Sequence, residues 1–429
     1  MILSQLFFRA SLVFSGRIVG AAVTFVTHVM LARWMGEQLA GKYAYAFSLC
    51  MVAAAFASLG ISSATQRIVG ASIASDSPGT IKIFLSWAQR CIFSAAVLLA
   101  VLVSAGNYLT SSASFSPTVY FAMLMLPFWC LVRLHSAIAQ AFSWLPLMVL
   151  PNRVVRPALF LCSITIWFTA NGSIVAAEAM IMHMFLVIVV SMVQFWIVRT
   201  RVNALGDEID ISLESRWLLT SVPLLLVSLS VDFYPEFSTV IIGIFVPPDE
   251  IAYFNSAFRI AFLIAFLLSA VDAITMPRVA QKYASGGVKE VEKVILQATY
   301  IKTLASFCGV IALGFKGDWM LQWFGDSFVA AHSTLVWLSV SLLIRSACGP
   351  GLEILAVTGH QMECLKVCAC NLMLTGISLA VASFVFGIQG ASVAIVIVTI
   401  VMRVWCYLLV KKRIGLSIAL FSKYTRKVS

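Results

Sequence analysis

Apolar stretches of about twenty residues recur along this chain, and short links between them collect most of the charge. A helix rises 1.5 Å per residue, so about 20 such residues cross the hydrocarbon core of a bilayer. Twelve segments meet this requirement, near 11–31, 43–65, 83–105, 117–140, 147–169, 173–198, 217–246, 251–276, 298–315, 331–357, 364–386 and 388–410. Only 11% of the 429 residues are charged and 61% are hydrophobic, so the chain lacks the polar surface of a water-soluble domain. An all-α polytopic membrane protein is the expected class. The first run holds Arg17 and is too long for a cleavable signal, so it reads as the first spanning helix.

The net charge of +11 is placed as membrane topology places it, not as a nucleic-acid surface would. One alternate set of links holds nineteen Lys and Arg, and the other holds only Arg33, Lys42 and Lys316. The bias predicts cytoplasmic amino and carboxyl termini and an even number of spans. Most of the ten cysteines lie in apolar segments, which reads as free thiols rather than a disulfide framework. Cys364, Cys368 and Cys370 lack a partnering ligand set, so neither a metal site nor a cofactor is expected.

The link "LARWMGEQLAGKYAYAFSL" holds Gly36, Glu37 and Gly41 in a turn too short for anything but antiparallel neighbours. A shift of 211 residues sets Ala46-Phe47 on Ala257-Phe258, Arg67 on Arg278 and Gly36 on Pro247. Acids stand beside both breakers, as Glu37 and as Asp249 and Glu250. Two six-helix halves, 1–205 and 206–429, are therefore expected as parallel repeats about an axis along the membrane normal.

Leu31, Ala32, Arg33, Gly36, Gly41, Tyr43, Leu59, Gly60 and Arg67 match the first two helices of a known family. "IAYFNSAFRIAFL", "MPRVAQ", "VTGHQM" and "GIQGASVAIV" continue the likeness through the second half. The chain resembles the bacterial polysaccharide flippases of the multidrug/oligosaccharidyl-lipid/polysaccharide exporter superfamily. It departs where the family often has an Asp-Arg-like pair in helix seven, having Ser238-Thr239 there. The resemblance implies a V-shaped fold of two six-helix bundles with pseudo-twofold symmetry. It implies transport of a polyprenyl-diphosphate-linked oligosaccharide across the bacterial inner membrane for O-antigen, exopolysaccharide or capsule synthesis, by a monomeric transporter and not an enzyme. A polysaccharide polymerase is the implied partner.

Such a substrate needs a wet cavity with cations for the diphosphate, and ionisable residues at membrane depth are functional candidates. Arg17 lies on a small and polar face with Gly20, Ala21, Thr24 and His28. Arg259 sits roughly 12 Å below the start of helix eight, with Asn255 one turn above it. Arg345 falls near the midplane of helix ten. Arg17, Arg259, Arg345 and Asn255 are the expected substrate-binding set, the planar guanidinium suiting phosphate best. Arg133 and Arg403 sit near inner ends and are expected to snorkel.

Helix seven carries a polar stripe, Ser221, Ser228, Asp232, Glu236 and Thr239, interrupted by Pro235. Asp232 and Glu236 are the expected ion-coupling pair, and a static salt bridge to an arginine is the alternative. Asp272, Glu353 and Glu178 are weaker candidates, and His135 and His183 are expected to be packing residues. A multidrug exporter of the same superfamily is the competing function. A membrane glycan polymerase fits less well, because the longest external link, 316–330, is too short for a catalytic loop.

Overall fold

In a computed structural model, the described residues are 2–109, 116–206, 208, 217–285, 288–416 and 418–420. Of the charges counted above, Arg216, Lys423, Arg426 and Lys427 lie outside them. The described residues form helices joined by short turns, with no strand among them. Among the described residues nine stretches are long and apolar enough to cross a bilayer, ten with one bent pair counted as a single span.

Two of the nine are too long for one crossing. Helix α1 (Ile2–Ala57) has 56 residues and α14 (Gln361–Ile414) has 54, each more than 80 Å by rough count against a core of about 30 Å. Each breaks at a glycine. Gly36 has φ 71° and ψ 172°, and Gly387 has φ 60° and ψ −151°. Both conformations are closed to residues with a Cβ. No atom lies within 4 Å of where a Gly36 Cβ would stand, so conformation and not space selects glycine there. At Gly387 the added carbon would also meet Glu250 Oε2 at 2.9 Å. That carboxylate accepts from the Ile388 amide at 3.2 Å, covering one of the bare N–H groups where the next helix begins. Counting each long helix as two spans gives twelve.

Between these lie α2 (Ile61–Ala74), α3 (Pro78–Leu109), α4 (Ser116–Ala141), α5 (Leu145–Val149), α6 (Arg156–Asn171) and α7 (Ala176–Asn203). They are followed by α8 (Trp217–Val231), α9 (Tyr234–Ile242), α10 (Pro248–Ala284), α11 (Val288–Leu321), α12 (His332–Ala347) and α13 (Gly351–Val357). The 211-residue register recurs in these bounds. The helix after Gly36 maps onto the start of α10 at Pro248. Ala176, which opens α7, maps onto Gly387, and Asn203, which closes α7, maps onto Ile414, which closes α14.

By packing, the chain forms two compact units, Met1–Val240 and Ile241–Ser429. The division falls inside α9, because α8 packs on α2 within the first unit. Gly60 permits that contact, since a Cβ there would stand 2.0 Å from the Ser221 carbonyl oxygen. The first unit's core is α4 against α7, α3 and α1; the second's is α10, α11, α12 and α14.

The seventh span breaks beside Pro235, the residue that interrupts its polar stripe. It is α8 and α9, bent by 70° at residues 232–233. Pro235 has no N–H for the Val231 carbonyl, so the helix is free to end there. Ser221 and Glu236 thus stand on two helix axes, not on one stripe.

Candidate functional site

The fifth span, where Pro151 and Pro157 interrupt the sequence, begins with a wide helical turn. The chain passes from α5 into a π-helical segment, Leu150–Val155, and on into α6. Pro151 and Pro157 cannot bond the carbonyls four residues before them, Leu147 and Arg153. Neighbouring helices crowd against both carbonyls. Gln194 Nε2 donates to the Leu147 oxygen at 3.4 Å. Gly20 of α1 approaches so closely that a Cβ there would stand 2.0 Å from the Arg153 oxygen. Such π segments often mark functional positions, and this one carries Asn152 and Arg153 and delivers Arg156 to the next turn.

Arg156 lies inside the first unit. Its guanidinium covers the Trp129 ring at 4.2 Å, donates to His183 Nε2 at 3.1 Å and reaches the Asn152 carbonyl at 3.4 Å. His183 is 6% exposed, and its Nδ1 lies 2.8 Å from the Tyr43 hydroxyl. Phe160 stacks on the imidazole with ring centres 4.5 Å apart, and Phe47 stacks at 5.3 Å. Arg17 is exposed and within electrostatic reach of Arg153. Among the described residues, Arg17, Arg153 and Arg156 form no ion pair with a carboxylate. The expectation for His183 as packing is therefore incomplete, because it joins a tyrosine to a buried arginine.

Asp232 stands at the α8–α9 bend and accepts from the Ser228 hydroxyl at 3.1 Å. Arg133 places its guanidinium over the Phe233 ring at 4.2 Å, within electrostatic reach of Asp232 and Glu236. Arg133 does not simply snorkel to an interface; it faces the two acids.

In the second unit a cavity of about 60 Å³, room for a few waters, lies among α10, α11, α12, α13 and α14. Asp272, Lys302, Arg345, Glu353 and Arg403 line it, with Ser269 and Ser346. Lys302 Nζ donates to Asp272 Oδ1 at 2.6 Å. Glu353 feels Arg403 and Arg345. The break at Gly349–Pro350, where Gly349 has φ 79°, sets Glu353 into the first turn of α13. Arg403 was expected to snorkel and instead lines this cavity. Lys302, a single charge inside an apolar run, was not among the expected residues at all.

Arg259 donates from Nε to Asn255 Oδ1, one turn above it, at 2.8 Å. Neither residue lines the cavity that holds Arg345. Arg17 belongs to the first unit, and Arg259 and Arg345 belong to the second. The ten cysteines are free thiols, and among the described residues no group of three or more His, Cys, Asp or Glu is placed to hold a metal ion.

Two helical units of membrane-spanning length, each with charged groups held among its helices, define a multi-pass membrane protein. Residues 9–282 match the family described as polysaccharide biosynthesis protein, more than half of the chain, and the chain belongs to that family. Residues 223–382 also match the MatE family. Among solved structures, the lipid II flippase MurJ in an inward closed conformation is similar with TM-score 0.74 and 12% identity, over 93% of this chain and 87% of that one. An inward-facing multidrug resistance MATE transporter of the MOP superfamily is similar with TM-score 0.71 and 15% identity, over 92% and 95%. A MOP superfamily transporter from Pyrococcus furiosus is similar with TM-score 0.67 and 15% identity, over 94% of each chain. No match was found among curated proteins. The chain is thus a multi-pass membrane protein of the polysaccharide biosynthesis family, with the two-bundle helical fold of those transporters.

Proposed function

We propose that this protein moves a polyprenyl-diphosphate-linked oligosaccharide across a bacterial inner membrane, with both termini cytoplasmic, for surface polysaccharide synthesis. The observation that carries the reading is the surplus of cations over acids among membrane-embedded polar groups. Arg17, Arg153 and Arg156 form no ion pair with a carboxylate among the described residues, and the cavity in the second unit sets Lys302, Arg345 and Arg403 against Asp272 and Glu353. A site for organic cations would need the opposite balance, whereas a diphosphate needs guanidinium forks in low dielectric. The family match over residues 9–282 and the likeness to a lipid II flippase support the same substrate class.

In this reading Arg17 of the first unit, and Arg259, Asn255 and Arg345 of the second, are the candidate contacts for the diphosphate. Asp232 and Glu236, at the α8–α9 bend and within reach of Arg133, take the coupling cation. The competing reading, export of organic cations, has the MatE match over residues 223–382 in its favour. Purified protein in vesicles decides between them. Transfer of a polyprenyl-diphosphate-linked saccharide to the opposite leaflet, scored with an impermeant lectin or oxidant, is expected. Transport of an organic cation without such transfer would overturn the proposal.

A further inference from the structure

His183 bridges two partners whose chemistry fixes its protonation. A guanidinium carries only donors, so His183 Nε2, 3.1 Å from Arg156, must accept. The single proton of the neutral ring then sits on Nδ1 and points to the Tyr43 hydroxyl, 2.8 Å away. A second proton could go only to Nε2, where it would meet an N–H of Arg156 head-on. Imidazolium and guanidinium would then share a place with no carboxylate among the described residues paired to either. The titratable and charged groups facing His183 are Tyr43 and His28 from α1 and Arg156 from α6, while α4 presents the uncharged Trp129 ring. None of these supplies a negative charge at ordinary pH.

We propose that His183 is a proton-binding site of the transport cycle, and that a proton there displaces the Arg156 guanidinium from its seat against Trp129. Arg156 is well placed to pass this on. It opens α6 directly after the π-helical segment, and its guanidinium is tied back to the Asn152 carbonyl inside that segment. Releasing the tie loosens the turn that carries Arg153, which faces Arg17. One proton is thereby linked to the cationic face of the first unit. The site is separate from Asp232 and Glu236, which lie at the α8–α9 bend. The proton site rests only on the Tyr43–His183–Arg156 geometry; its effect on a phosphate-bearing substrate rests on the function proposed above.

The test separates the two. Purified, substrate-free protein is labelled with 15N-histidine and titrated, and the His183 resonance is assigned by its loss in His183→Gln. The neutral ring should be the Nδ1–H tautomer. Its midpoint should move up by about one pH unit or more in Arg156→Gln, a tenfold gain in proton affinity once the facing cation is gone. An Nε2–H tautomer, or a midpoint indifferent to Arg156→Gln, would overturn the proposal. In vesicles with polyprenyl-diphosphate-linked saccharide, the ratio of rates with and without an imposed pH gradient should fall to about one in His183→Gln. Tyr43→Phe keeps the ring and its stacking, and should lower that ratio partway. Wild-type ratios in both variants would likewise overturn it. Should the titration hold while no saccharide moves, the proton site stands and the substrate reading falls.

Discussion

Lys302 Nζ lies 2.6 Å from Asp272 Oδ1, joining α11 to α10 through an ammonium that is almost wholly buried. Each partner is a lone charge in an apolar run, and each is tolerable there because of the other. Removing one leaves the other in low dielectric without its bonded counterion, which costs more than the pair itself contributes. Asp272 keeps 27% of its side chain exposed, so water offsets part of that loss. Lys302→Met should lower the stability of the purified protein by about 2–3 kcal/mol, toward the low end of the range for a broken buried pair. The double variant Lys302→Met/Asp272→Leu should recover more than half of the loss in thermal unfolding. Additive losses would mean that the pair is not the structural tie described.

Gly36 makes a sharper test of backbone against space. With φ 71° and ψ 172° and no atom near its missing Cβ, any side chain there is strained by its own backbone alone. Gly36→Ala should already lower the melting temperature, at a cost of about 1–3 kcal/mol, and Gly36→Val should lower folded yield further. Glu37→Gln, one residue on, should leave both unchanged. Equal behaviour of the three variants would remove this account of the turn.

That turn was legible in the sequence, because a glycine between two apolar runs marks where the backbone leaves the helix. The spans were legible because twenty apolar residues in a row answer to one physical requirement. What stayed hidden was convergence. Tyr43, Arg156 and His183 lie in three separate apolar runs, and no periodicity says that they meet. Arg403 looked like an inner-end cation, and only the packing of α14 on α12 turns it toward Glu353 and Arg345. Pro235 announced a break, but its position between Asp232 and Glu236 gave no angle; the 70° bend is visible only in the structure.

Orientation is open to a direct test. The Lys and Arg bias between alternate links predicts that a reporter active only in the cytoplasm, fused after Ser429, gives signal. A second fusion at Glu37 should give signal only with a periplasm-active reporter. The reverse pattern would invert the topology and, with it, the direction of transport proposed above.

The cationic residues allow charge to be separated from shape. If Arg17, Arg259 and Arg345 hold a diphosphate, Arg→Lys keeps the charge and loses the two-oxygen fork, so transport should fall partway, and Arg→Ala should fall further. Arg259 carries an additional expectation, because its Nε bond to Asn255 Oδ1 at 2.8 Å orients the fork. Asn255→Leu should therefore mimic Arg259→Lys rather than Arg259→Ala. The acids should behave differently from the arginines. Asp232→Asn and Glu236→Gln should leave saccharide binding near the wild-type value while changing how transport depends on an imposed ion gradient. Complementation of surface polysaccharide in a deletion strain, with membrane protein level measured for each variant, reads the first set, and gradient-driven transfer in vesicles reads the second. Full complementation by all three well-expressed Arg→Ala variants would place the diphosphate elsewhere, and Arg153, Arg156 and Lys302 would be the next residues to change.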